Sequence, residues 1–600
     1  MKKFLIETDQ IPAAGIEKFC RFFGAETGSG GMEIRARKGS GNLTVISDGK
    51  EVQISYPTRG AFYHGLSFCL QNDGKRFALE RKFEGVRLGI LRDCARNAVL
   101  SERGAEDLSI LAAALGYDSI GLNLEDLLEV EAYPYFGNLR GRYSREQIEN
   151  VTATAELFGI EIVPCLQTLS DLPAAFKRDV FYEINDTDDV LLADDERTYA
   201  FLDAMIGTAA ERFSSKRVQI GMRGAARMFR GKYLAAHGDA DRAEVYVRHL
   251  ARVTEICKKY GLEPCIWSDA VETFCRADRD FAKEFQERFP DLAVCFADAE
   301  GADDLEERTR AFSANRILAG DARTRTGFAP SSDLAEQTLL SAFGRFRRSG
   351  GGEFVVALWD GSECLSSCSA GTLLRLAEQA RGGDCSEDAI NERCVALFGN
   401  SHDEFLLLQR VNGAGGTSNR SSYLLYNDPL IGIMDAHATP DMEEEYARLG
   451  VSLSAAAEKR GKFEGTFEAL AALCDVLKVK ANLGNRIRSA YEIRDRATLA
   501  EIAEQTLPDL ARKTKVFYET FRRAYLAENK SFGFEITQFR IGGLLFRLES
   551  SARTLKEYLS GKRERIDALE RKRLPVFAES KVGKDVFFDR YREIVTGSVL

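Results

Sequence analysis

The chain has 600 residues, 44% hydrophobic and 29% charged, and its 82 basic against 92 acidic residues give a formal net charge of −10. That length exceeds one ordinary core, and the composition excludes disordered and fibrous classes. The acidic balance, with no Lys/Arg-rich tract, excludes nucleic acid as an expected partner, and no run approaches the roughly 18 apolar residues of a membrane span.

The opening MKKFLIETDQIPAAG has only a three-residue apolar stretch before Glu7 and Asp9, too short for a secretory core segment, so a cytoplasmic address is expected. Residues 1–85 alternate β-rich runs (LTVIS, EVQISYP) with a helical stretch at Ala61–Leu70, which predicts a small N-terminal α+β domain. From 86 to about 400 the pattern becomes short apolar runs, each followed by a helical segment, the signature of βα units on a parallel sheet. Eight such runs occur: VRLGILRD, YDSIGLNLED, IEIVPCLQ, VQIGMRG, EPCIWSD, LAVCFAD, RILAGDA and EFVVALWD. Eight units close a barrel, so the expected fold class is α/β, a (β/α)8 TIM barrel. Residues 401–600 lack a strand series and carry long amphipathic stretches, predicting a helical C-terminal domain; whether it mediates a homodimer is left open.

Barrel chemistry belongs at the C-terminal strand ends. Those ends carry Arg92, Asp93 and Arg96; Glu125 and Asp126; Gln167 and Asp171; Arg223; Trp267 and Asp269; Asp298 and Glu300; Asp321, Arg323 and Arg325; Trp359, Asp360 and Glu363. Both tryptophans of the chain fall there, and a flat indole at a barrel mouth suits the apolar face of a sugar ring, although two aromatic core residues would read the same way. None of the five histidines ends a strand, which disfavours His-based hydrolysis and a His-ligated barrel metal. The thirteen cysteines are scattered, and Cys364 and Cys368 have no partner pair at zinc-ligand spacing, so reduced structural thiols, no metal and no cofactor are expected. The triplet Gly350–Gly352 precedes a strand and reads as a loop, not a phosphate cradle.

LRDCARNAVL, PYFGNLRGRYS, GIEIVPCLQTL, DTDDVLL, QIGMRGAARM, GKYL and IWSD together resemble family 20 glycoside hydrolases, the β-N-acetylhexosaminidases, in particular a bacterial subgroup with a helical C-terminal domain. The resemblance covers most of residues 86–275 and continues more weakly to 365. It implies substrate-assisted hydrolysis, in which the 2-acetamido oxygen attacks the anomeric carbon while an Asp-Glu pair after strand four orients the acetamide and protonates the leaving oxygen. Here that pair is replaced by Arg223 and Gly224, and a guanidinium cannot act as an acid at working pH. Asp171 stands where the family has His. Phe296-Ala297 replace an expected Trp-Asp, and Arg323 and Arg325 replace aromatics. What the resemblance retains for sugar binding is Arg96, Trp267, Asp269, Trp359 and Glu363, with Arg223 added.

Two readings follow. In one, Asp171, Asp298, Asp321 or Asp360 supplies a new carboxylate pair, and the arginines bind an anionic sugar. In the other, the barrel is a non-catalytic glycan- or partner-binding protein, with Arg223 paired to Asp171 or Asp269.

Overall fold

The computed structural model describes residues 2–8, 10–224, 227–278, 280–298, 312, 316–350, 352–359, 361, 363–413 and 418–588, with Asp298 described by its backbone alone. Two compact units divide the chain: Met1–Ala322 with Glu336–Trp359 and Leu373–Ala389, and the remainder, chiefly Ile390 onward.

The first unit begins with a mixed six-stranded sheet in the order β2-β1-β3-β5-β4-β6. Its strands are β1 (Lys2–Glu7), β2 (Ala25–Thr27), β3 (Met32–Lys38), β4 (Leu43–Asp48), β5 (Glu51–Tyr56) and β6 (Arg76–Arg81). Alternate residues of β4 and β5 (Leu43, Val45, Val52, Ile54, Tyr56) are buried, as period-two patterning requires of a sheet with one covered face. Helix Arg59–Gln71 covers that face, with Thr58 capping its start by accepting from the Ala61 N–H. Every residue from Gly60 to Leu70 is buried because the helix contacts both the sheet and barrel helix Glu102–Leu115, which explains why it is apolar all round.

The eight predicted runs are the eight strands of a closed parallel barrel: β7 (Arg87–Asp93), β8 (Ser119–Asn123), β9 (Glu161–Cys165), β10 (Arg217–Gln219), β11 (Glu263–Trp267), β12 (Ala293–Asp298), β13 (Arg316–Asp321) and β14 (Glu353–Leu358). Barrel interiors are ordinarily filled by branched side chains. Here small residues predominate, with Cys165, Cys265, Cys295, Ala319 and Ala357 forming the inner cluster together with Leu91 and Trp267. They leave a cavity of about 610 Å³ beneath Trp267. Burial pushes the thiols of Cys165, Cys265 and Cys295 upward, so all three stay protonated. Among the described residues no group of His, Cys, Asp and Glu is arranged to hold a metal.

The barrel floor is an ion cluster. Arg217 donates to Glu161 at 2.8 Å and also pairs with Glu353, whose second oxygen accepts from Ser119 at 2.9 Å. At the same end of the barrel, Arg381 is 2% exposed and donates to the Gly116 carbonyl and to Asp118, tying the last barrel helix, Ala370–Arg381, to the turn before β8.

The second unit is helical. Helices Asp441–Glu458, Glu464–Lys480, Leu507–Glu528 and Phe534–Leu559 pack each on the next, around Leu470, Leu473, Leu477, Phe517 and Phe521. No described helix is long and apolar enough to cross a membrane.

Candidate active site at the barrel mouth

The strand ends β7 to β11 converge on one polar surface. Asp93, fully buried, accepts from Asn123 at 2.9 Å and from Arg96 at 2.9 Å, and so joins the ends of β7 and β8. Arg96 reaches on to Glu125 at 3.4 Å. Glu125 is 6% exposed, its Oε1 has no hydrogen-bond donor, and burial pushes its carboxyl up to about 7 despite the opposing pull of Arg96.

The stretch PYFGNLRGRYS lies beneath this pair. Arg140 spans Asp126 at 3.2 Å and the Ala95 carbonyl at 2.7 Å, linking it to the DCARN segment. Gly137, at φ 64°, packs so closely on the Asp126 carbonyl that a Cβ would come within 1.9 Å of it, so only glycine fits. The two motifs that carry the family resemblance therefore meet, and their shared work is to hold Glu125-Asp126 in place.

The segment Ile220–Gly224 is fixed almost entirely through its backbone. Thr168 donates to the Ile220 carbonyl at 2.7 Å, Tyr246 to Met222 at 3.0 Å and Ser170 to Arg223 at 2.9 Å. The Gly224 N–H donates to Asp269 at 2.8 Å. Buried His249 bridges Thr168 and Tyr199, and burial lowers its pKa to about 4, keeping it neutral and a structural strut. With its backbone clamped, Arg223 projects its side chain over the Trp267 ring at 5.8 Å. Its Nε lies 3.8 Å from Asp171 and 3.9 Å from Asp269, close enough for attraction and too far for hydrogen bonds.

Arg96 lies over Trp359 at 5.9 Å, and the two indoles are neighbours, 5.7 Å apart and tilted by 45°. The mouth is thus a tryptophan pair carrying two guanidinium groups, edged by Asp93, Glu125, Asp171 and Asp269. Burial pushes the Asp269 carboxyl upward as well, against the pull of Arg223. Asn97, Glu125, Asp171 and Met222, in the loops after four successive strands, all take positive φ of 48–71°. Such backbone strain in non-glycine residues concentrates where side chains must be aimed.

Of the residues singled out in the sequence, Arg96, Asp171, Arg223, Trp267, Asp269 and Trp359 belong to this cluster. Trp267 is only 6% exposed and packs into the barrel interior, whereas Trp359 is half-buried at the rim. Asp321 ends β13, partly buried. The Asp298 side chain, Glu300 and Asp360 lie outside the described residues. Arg323, Arg325 and Glu363 belong to the second unit, where Glu363 is fully buried and accepts from Tyr426 and Arg540, each at 3.2 Å. Sequence reasoning passed over Glu125 as a perturbed acid, and Arg140 and His249 as supports. Arg140 stands inside a quoted motif, while nothing in the sequence marked Glu125 apart from other strand-end carboxylates.

The first unit is thus an all-parallel eight-stranded barrel with an aromatic and acidic mouth, and the second unit is helical. The family model described as Glycoside Hydrolase 20C C-terminal domain matches residues 403–587. That region is separate from the barrel motifs that carry the resemblance to family 20 glycoside hydrolases. Among solved structures, an inactive mutant of an exo-β-N-acetylglucosaminidase from Vibrio harveyi is 16% identical, the match covering 68% of this chain and 75% of that one, with a TM-score of 0.50. A β-N-acetylhexosaminidase from Bacteroides fragilis is 15% identical over 66% of this chain and 90% of that one, also with a TM-score of 0.50. At such identities the likeness is one of fold. No curated protein sequence matches the chain.

Proposed function

We propose that the barrel mouth is a carbohydrate-binding site that holds a terminal sugar against Trp359 and the edge of Trp267, and that it lacks acetamide-assisted hydrolysis. The observation that carries this reading is the position of Arg223: the segment after β10 presents a guanidinium between Asp171 and Asp269 and no carboxylate of its own. Among the described residues no side chain accepts a hydrogen bond from Arg223, so its donors are open to sugar oxygens. Glu125, a mouth carboxyl held near neutrality, has its Oε1 sealed from solvent beside Arg96, which favours binding over proton transfer to a substrate.

An anionic sugar is the second reading, supported by the same open donors. Four carboxyl groups around two arginines oppose it, so a neutral or amino sugar fits the mouth better. Calorimetry with N-acetylglucosamine, glucosamine and glucuronate separates these cases. Trp359→Ala is expected to weaken the preferred sugar about 10-fold, the scale of one aromatic contact. Equal binding by wild type and variant would remove the mouth from consideration.

The perturbed carboxyl gives a second expectation. A folded-state value near 7 for Glu125, above the usual carboxylate value near 4.5, means its contribution to stability is present below about pH 4.5 and is lost as pH rises through 7. The loss is on the order of 3 kcal/mol. Glu125→Gln, which stays neutral, should flatten the fall in unfolding midpoint between pH 5 and 8. An unchanged slope would show that Glu125 ionises normally.

A further inference from the structure

Between Trp267 and the floor cluster the barrel interior is not filled by its own side chains. Val163, Ala293, Ile317 and Val355 line the cavity of about 610 Å³, and all four are only partly buried although each belongs to a strand of the closed sheet. Inward positions of a barrel this size are ordinarily filled to a packed core. Here Cys165, Cys265 and Cys295 stand where bulkier branched residues are usual, and apolar surface left uncovered forfeits both its transfer from water and its dispersion contacts.

The roof of the cavity is Trp267, the indole that Arg223 overlies at the mouth. Its lower end is lined by Arg87, Arg217, Glu263, Arg316 and Glu353, the first residues of five strands. Arg87 and Glu263 are exposed, so the cavity reaches solvent at the floor. Charge there is matched within the protein, since Arg87 and Arg217 pair with Glu161, and Arg217 also with Glu353. Above the strand starts the described lining carries no charged side chain. A charged guest would lose its hydration there without a counter-ion, so the chemistry selects a neutral one.

One polar handle faces this space. Gln219 lines the cavity and is 7% exposed. Its Oε1 accepts the Gly221 N–H at 2.9 Å, and among the described residues its Nε2 bonds only to the Cys265 sulfur, at 3.6 Å. A primary amide has two N–H donors and a thiol is a weak acceptor, so one donor is left for a guest oxygen. Water suits the space less well, because each molecule needs two to four polar partners and the walls offer mainly thiols and alkyl groups. Sulfur atoms and an indole favour an aromatic ring, and the volume falls within the range of small-molecule sites.

We infer that the barrel interior is a second ligand site, separate from the mouth, which takes a small neutral aromatic molecule bearing one hydrogen-bond acceptor. Acetophenone is a suitable probe, and in the Trp359→Phe chain the only indole left to report on it is Trp267. Titration should quench that emission saturably, with Kd about 0.1–1 mM. Ethylbenzene should compete about 5-fold more weakly for want of the oxygen, and benzoate should not compete. Ala293→Leu, which fills the cavity, should remove the quenching without lowering the melting midpoint, whereas Arg223→Ala, on the mouth, should leave the Kd as it was. Absence of saturable quenching overturns the inference, as does benzoate or ethylbenzene competing as well as acetophenone itself. An Ala293→Leu chain that melts earlier or fails to fold shows a packed interior and overturns it too, and one that folds and binds unchanged does the same. Loss of quenching in Arg223→Ala would place the probe at the mouth and refute a separate site.

Discussion

Purified protein should hydrolyse aryl β-N-acetylglucosaminide and β-N-acetylgalactosaminide with kcat/KM at least about 10⁴-fold below that of a barrel with an intact Asp-Glu pair. A positioned general acid contributes about 10² to 10⁴, and a group fixed on the developing charge contributes a further 10² or more. No carboxylate stands between Ile220 and Gly224, where the last two side chains are a guanidinium and a hydrogen. The variant Arg223→Asp, Gly224→Glu should raise the rate by about 10²-fold or more over wild type. The geometry permits this replacement at moderate cost. The Gly224 N–H is a backbone donor that any residue at 224 keeps for Asp269, while a Cβ at 224 would meet the Ala270 Cα and Cβ at 3.2 Å, asking them to move by a few tenths of an ångström. Rapid turnover by wild type would instead assign the acid to another strand end. Glu125→Gln would then be the variant to assay first, since Glu125 is the mouth carboxyl held near 7.

Arg217→Met should be strongly destabilising, costing about 3–5 kcal/mol in the denaturant unfolding free energy, because it leaves Glu353 without its cation and Glu161 with only Arg87, at 2.6 Å. Arg217 and Glu161 have side chains 25% and 28% exposed and Glu353 only 8%, so solvent replaces little of the lost attraction. The same cluster predicts acid sensitivity with a definite sign. Burial alone would push Glu161 up, but the hydrogen bond and charge of Arg217 outweigh it and hold the carboxyl down at about 2. Its stabilisation is therefore complete above about pH 4.5 and is lost as pH falls toward 2. In Arg217→Met that loss should be reduced in an unfolding series over this pH range, the remainder coming from Arg87 and Ser215. A variant as stable and as acid-sensitive as wild type would show that the floor pairs contribute nothing net.

These two predictions differ in how much of their basis was legible in the chain itself. That Arg223 and Gly224, and no carboxylate, follow β10 could be seen in IGMRGA alone, because local motif and strand position together fix which residues follow the strand. The floor cluster could not be seen. Arg217, Glu161 and Glu353 are separated by scores of residues, and each begins a different strand, so only barrel closure brings them together. The same holds at the mouth. Arg140 was visible within a motif, but its bonds to Asp126 and the Ala95 carbonyl depend on the path of the loop after β8.

The order of elements was set by the sequence, since hydrophobic period and turn residues act over a few neighbours: eight apolar runs with polar ends became eight parallel strands, and the long amphipathic stretches became helices. The environment of each charge was decided by tertiary structure. Glu125 and Glu161 are the same side chain, yet one is pushed up to about 7 by burial beside a single shared arginine and the other is held at about 2 by a direct bond to Arg217. The sequence left open whether Arg223 answers an external anion or the protein's own carboxylates, and the fold placed Asp171 and Asp269 at nearly equal distances on either side of it. Electrostatic energy depends on distance and desolvation, and neither exists until residues far apart in the chain are packed together.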